Sequence, residues 1–108
     1  MATPLSLDTQ RIDGTVVLTA AGEIDLSNVE EFSQGLSGAA QTAGAGAVTV
    51  DLSAVRYVDS AAINALFTIA DVADRLRLIV HPLLMRVLDI SGLTQLATVE
   101  AARLDGAV

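Results

Sequence analysis

The sequence predicts an α/β fold: a small mixed β-sheet of four to five strands with helices packed mainly on one face. Three observations carry that expectation. Strand-like runs flank Asp13-Gly14, a dipeptide suited to the tight turn whose twist matches two paired strands. The run Ala47-Val48-Thr49-Val50-Asp51-Leu52 shows no polar alternation until Asp51, as strands of a parallel sheet covered by other layers do. The elements follow one another as β-β-α-β-α-β-α, the alternation typical of an α/β domain. Three helices are too few to surround such a sheet, so they should lie mainly on one side.

Each element has its own warrant. Leu5, Leu7 and Thr9 alternate weakly toward Arg11, and Val16 to Ala20 is β-rich, so these two runs should pair antiparallel across Asp13-Gly14. Ser27-Asn28-Val29-Glu30 fits an S-x-x-E capping box, in which two side chains reciprocally satisfy orphan amides. Val29, Phe32, Leu36 and Ala40 then recur at helical spacing until Ala43-Gly44-Ala45-Gly46 stops the helix. After the apolar strand at 47–52, Val55 to Val58 bridge to a second helix, which Asp59-Ser60 opens and which should end near Arg75. Arg75 to Val80 alternates and then turns apolar, as a strand does. Pro82 suits the first turn of a third helix, with His81 just before it. Gly92 stands where a left-handed helix cap is expected, and Leu93 is placed for its apolar contact. Residues 97–100 fit a short edge strand; the tail from Ala101 to Val108 is uninformative.

Composition excludes several function classes. The 108 residues suit one domain, read as 1–108 with a core from about 5 to 100. Hydrophobic residues reach 52% and charged ones 18%, too apolar a balance for intrinsic disorder. There is no cysteine, hence no disulfide, thiolate nucleophile or thiolate metal site. All six basic residues are arginines, which excludes Schiff-base lysine and P-loop chemistry. A net charge of −7 repels polyanions, and only Phe32, Tyr57 and Phe67 are aromatic, so direct nucleic-acid binding is not expected. The longest greasy run, Ala61 to Ala70, falls short of the roughly 18–20 apolar residues of a membrane span. The start carries no basic segment followed by an apolar run. The expected location is the cytoplasm, without membrane insertion.

The chemistry-bearing residues gather around Asp51-Leu52-Ser53 and Asp59-Ser60. The first group is read as ending a buried strand and the second as opening an apolar helix, the edge at which α/β folds usually place function. Glu23-Ile24-Asp25 ends an earlier strand and could join it. Ser60 has two readings, a helix-start cap or a phosphoacceptor whose phosphate the helix dipole favours. A Ser60-His81-Asp triad lacks the G-x-S-x-G elbow and any sign of convergence. With one histidine and no cysteine, a metal would rely on Asp25, Asp51 and Asp59, and two of these are equally placed to start helices. A phospho-accepting receiver domain needs a lysine the chain lacks. No catalytic residue, metal or cofactor is therefore expected. The helix from Ala61 is apolar around most of its circumference, which fits either a partner covering its outer side or a helix rich in alanine for propensity alone.

Four segments in this order resemble the STAS domain family, which includes the bacterial anti-sigma factor antagonists. They are Gly22-Glu23-Ile24-Asp25, Val48-Thr49-Val50-Asp51-Leu52-Ser53, Tyr57-Val58-Asp59-Ser60 and Arg86-Val87-Leu88-Asp89-Ile90-Ser91-Gly92-Leu93. The resemblance spans about residues 5 to 100. It implies the STAS fold and an anti-sigma factor antagonist that binds an anti-sigma factor serine kinase and so frees a sigma factor. It implies that Ser60 is the phosphoacceptor, with phosphorylation weakening the complex. It places Asp25 and Asp59 beside that serine and implies a partner surface of Asp25, Asp59, Ser60, Ala61 and Asn64. ATP would be used by the partner, so neither a cofactor nor a small-molecule substrate is implied. Other members of the family are subunits of lipid-transport ATPase complexes or ligand-sensing modules. Two features depart from the family pattern: Ala61-Ala62 stand where Ser-Gly is usual, and no Gly-rich turn separates Asp74 from Leu76.

Overall fold

Asp13 and Gly14 take φ values of 50° and 80°, the pair of positive values that a type I′ turn requires. They join β1 (Ser6–Ile12) to β2 (Thr15–Ile24) as an antiparallel hairpin. The chain continues through α1 (Val29–Ala43), β3 (Ala47–Val58), α2 (Ser60–Val72), β4 (Arg75–Val80), α3 (Pro82–Ser91), a 3-10 turn at Leu93–Gln95 and β5 (Thr98–Ala101). This computed structural model describes residues 4–73 and 75–102, so Asp74 and the tail from Arg103, both named above, lie outside it. The five strands stand in the order β1-β2-β3-β4-β5, and every pair after the hairpin is parallel.

Alternation along the strands fixes which face is covered. Val16, Leu18 and Ala20 of β2, Val48, Val50 and Leu52 of β3, and Leu76, Leu78 and Val80 of β4 are buried. They meet Phe32, Leu36 and Ala39 of α1, Ala62, Leu66 and Ile69 of α2, and Leu84 and Leu88 of α3 in a single core. The residues between them face away; Thr19 and Arg77 are exposed, and Val17, Asp51 and Ile79 are half-buried. The helices thus cover one face, as expected from their number. The apolar run in β3 is not sandwiched between layers: Thr49, on the far face, is shielded to 9% exposure within the sheet's centre.

Three local expectations give way. The β3 strand does not stop at Leu52 but runs to Val58, because Val55 and Val58 continue the buried face. Helix α2 ends at Val72, short of the expected end near Arg75, while β4 begins at Arg75 as expected. The S-x-x-E capping box does not form: α1 begins at Val29 behind Asn28, whose side chain makes no capping bond to the helix. The Ser27 hydroxyl donates to Asp25 Oδ1 at 2.5 Å instead, since a carboxylate is the stronger acceptor.

Helix α2 packs on both the sheet and α1, burying Ala62, Leu66 and Ile69 and leaving Ala61, Ile63, Ala65, Phe67 and Ala70 half-buried. Its exposed residues are the polar Ser60, Asn64, Thr68 and Asp71, with Val72 at its end. At α3 the expectations hold. Pro82 opens the helix, the His81 Nδ1 accepts from the Leu83 amide at 3.1 Å, and Gly92 closes it at φ 89° with Leu93 buried beside it. That φ lies in the left-handed region, where a Cβ is strained. No helix among the described residues is long and apolar enough to cross a membrane.

Two measurements check this architecture. Phe32 is fully buried, so Phe32→Ala should cost about 3–5 kcal/mol in urea unfolding with the slope of the transition unchanged. At the far edge, Arg77 donates twice to Glu100, Nε to Oε2 at 2.9 Å and Nη2 to Oε1 at 2.8 Å. These hydrogen bonds, with the guanidinium charge, hold the Glu100 carboxyl below its ordinary 4.5. A lowered carboxyl contributes stability that is complete above its unfolded value and is lost as pH falls through the folded one. Amide protection of β5 should therefore weaken as pH drops below about 4.5, and Glu100→Gln should remove that pH dependence.

Candidate functional site

Strands β2 and β3 end side by side because their parallel register reaches Ile24↔Val58. Register shifts between Thr19 and Ala21 and between Gly22 and Glu23 keep the two strands paired to that point. Gly22 has a φ of 105°, where a residue with a Cβ is strained and glycine is not. The loop after β2 and the start of α2 therefore emerge at one pole.

Asp59 ties these pieces together. Its backbone N–H donates to the Ile24 carbonyl at 3.3 Å. One carboxylate oxygen, Oδ2, accepts from the Leu26 amide at 3.0 Å, and the other, Oδ1, accepts from the Ala62 amide at 3.1 Å as the N-cap of α2. A single side chain thus bridges the β2–α1 loop and the helix. The loop is pinned again by Asn28, whose Oδ1 accepts from the Asp25 amide at 3.0 Å and whose Nδ2 donates to the Glu23 carbonyl at 2.9 Å. Asp25 in turn accepts from the Ser27 amide at 2.9 Å.

Ser60 is the first residue of α2 and is exposed, one position beyond the capping aspartate. Asn64 is exposed one turn further on, the same face of a helix by its spacing, and Ala61 is half-buried. Asp25, Asp59, Ser60, Ala61 and Asn64 accordingly all belong to this pole. Asp51 does not. It lies in mid-strand, paired with Thr19 and Ile79, and its Oδ1 accepts from the Ser53 amide at 2.9 Å. Its expected place at a strand end fails because β3 continues past it. His81 is taken up structurally: an Nδ1 that accepts from an amide cannot donate to a triad carboxylate. Among the described residues no group of three or more His, Cys, Asp or Glu side chains is placed to hold a metal ion.

Two residues of the pole escaped the sequence reading. Leu26 and Tyr57 are 77% and 50% exposed, flanking the polar cluster on the loop and on the end of β3. The signal for Leu26 was its isolation between Asp25 and Ser27, both of which take part in loop hydrogen bonds. An apolar side chain in that setting has no core to enter. The pole therefore offers an apolar flank, a serine hydroxyl and carboxylates, a surface suited to a partner protein.

Comparison with known proteins supplies the context. Residues 7–105 match the family model described as "Mlab, STAS domain". No curated protein matches the chain. Among solved structures it is similar to an anti-sigma factor antagonist from Mycobacterium paratuberculosis, with a TM-score of 0.83 and 21% identity over 96% of this chain and 91% of that one. The anti-sigma factor antagonist SpoIIAA in its unphosphorylated form gives a TM-score of 0.69 at 22% identity, covering 94% and 92%. The Bacillus cell fate determinant SpoIIAA in the phosphorylated form gives 0.65 at 20%, covering 96% of each. Likeness at these identities speaks for the fold.

The role of Asp59 is open to direct test. Asp59→Ala removes a cap and a loop bond together and should cost about 1–2 kcal/mol. Hydrogen exchange should quicken at both the Leu26 and Ala62 amides. Asp59→Asn, which keeps one carbonyl oxygen and replaces the other by a donor, should release only one of the two.

Proposed function

The chain belongs to the family of Mlab-type STAS domains, and from that premise we propose that it works by binding, as an anti-sigma factor antagonist switched at Ser60. Its partner in this reading is an anti-sigma factor that is also a serine kinase, and binding frees a sigma factor in the cytoplasm. The observation that carries the reading is the placement of Ser60: exposed at the start of α2, directly after a capping aspartate whose two oxygens are already engaged.

The physics of the switch follows from that placement. The hydroxyl is open to an incoming kinase, while Asp59 keeps the helix start in place without drawing on it. A phosphate there carries roughly −1.5 to −2 charges. The helix N-terminus tolerates this locally, so the domain stays folded when modified. The interface does not tolerate it equally. Asp25 and Asp59 already make the pole acidic, and a dianion added among them repels acidic partner groups and has to be desolvated. Leu26 and Tyr57 supply apolar area that the unmodified pole can bury against the partner.

A second reading has an observation of its own. Ala61-Ala62 replace the Ser-Gly pair usual after the phosphoacceptor, and Ala62 is fully buried against the core. A helix start packed in this way suits a permanently docked subunit, such as the STAS subunit of a lipid-transport ATPase, in which Ser60 is merely surface.

A comparative pull-down separates the two. Wild type and Ser60→Ala should retain a serine-kinase anti-sigma factor, and Ser60→Asp should lose it. That kinase with ATP should phosphorylate wild type and leave Ser60→Ala unmodified. A transport ATPase held equally by all three baits would overturn the switch.

A further inference from the structure

The opposite end of the sheet carries an open, solvent-facing cavity of about 660 Å³. Its walls come from the starts of β2, β3 and β4 and from the turn leading into β5: Thr15, Thr49, Arg75, Arg77, Leu96 and Thr98 line it. Because β3 runs from this cavity to Asp59, the strand's length separates it from the Ser60 pole.

Its chemistry is unlike that of the rest of the chain. The net charge is −7, yet two of the six arginines line this one cavity. Among the described residues Glu100 is the acidic residue that meets Arg77, and Arg75, Arg77 and Glu100 together carry one net positive charge. The Glu100 carboxylate takes the Nε hydrogen and one Nη2 hydrogen of Arg77. It thereby fixes the plane of the guanidinium and leaves the remaining N–H groups for another acceptor. The threonines add hydroxyl donors, and Thr49 is held at 9% exposure on the sheet face away from the helices. Leu96, 55% exposed, and Ala97 give the cavity an apolar wall. Guanidiniums and hydroxyls facing a short apolar wall match a molecule with an oxyanion at one end and a small carbon body at the other.

We propose that this cavity binds a small soluble organic phosphate, its phosphate group held by Arg75, Arg77 and the threonine hydroxyls and its carbon body against Leu96 and Ala97. The site is independent of the Ser60 reading, since it stands at the other end of β3.

The test is a titration of the full chain, 15N-labelled, with glycerol 3-phosphate, followed by amide chemical shifts. Saturable shifts at Thr49, Arg77 and Thr98, with Ser60 and Asn64 unmoved, are expected; uncharged glycerol should move nothing. Arg75 is exposed, so Arg75→Gln leaves the core intact. It should weaken binding by roughly tenfold or more through loss of a charged hydrogen-bonding group. Arg75→Lys should fall between. The proposal is overturned if glycerol 3-phosphate leaves the cavity amides unmoved or if Arg75→Gln binds as wild type does. It is equally overturned if only vesicles of phosphatidylcholine with phosphatidic acid, and not the soluble phosphate, shift these amides.

Discussion

Parallel strands cannot be joined by a tight turn, so pairing β2 with β3 obliges the intervening chain to cross the sheet as α1. That crossing brings Phe32, Leu36 and Ala39 onto the buried face. The same register, held to Ile24↔Val58, delivers the β2–α1 loop and the start of α2 to one place. The core and the pole are two results of a single pairing. A slip of one residue between β2 and β3 would turn Leu18 or Val50 outward and part Asp59 from the Ile24 carbonyl at once.

At the pole, one aspartate does what two or three side chains often share. Asp59 satisfies an orphan helix amide, holds the neighbouring loop and anchors both to β2. This leaves the adjacent serine without a structural duty, although serine at a helix start commonly caps. A hydroxyl not needed for folding can be esterified without cost to the fold. The division of labour between positions 59 and 60 is what makes a modification there compatible with a domain that stays intact.

Much of the fold was legible because the strong local signals agreed with the tertiary outcome. Asp13-Gly14, Pro82 and Gly92 demand backbone conformations that few sequences tolerate, and each is found where expected. Weaker signals lost to competition. Ser27-x-x-Glu30 is a valid cap pattern, but the Asp25 carboxylate claims the Ser27 hydroxyl and Asn28 is spent on the loop. The end of β3 was misjudged because Ser53, Ala54 and Arg56 interrupt the apolar run, while Val55 and Val58 resume it across irregular pairing with β2. At the site, Asp59 and Ser60 announced a helix start from local pattern. Leu26 and Tyr57 did not stand out, since exposure of an apolar side chain is decided by what the fold fails to place over it. The arginine-lined cavity is more remote still: Thr15, Thr49, Arg75 and Thr98 come together only through strand register.

The strands lie in space in the order in which they occur in the chain. No strand has to be threaded between two others already paired. A polypeptide leaving the ribosome from its N-terminal end can close the β1–β2 hairpin first and then add β3, β4 and β5 in turn to a growing edge. Each addition brings the helix before it to cover newly formed apolar surface. The greasy face of the sheet is thus shielded in instalments as synthesis proceeds, which limits the interval in which Val48, Val50 and Leu52 stand open to other nascent chains.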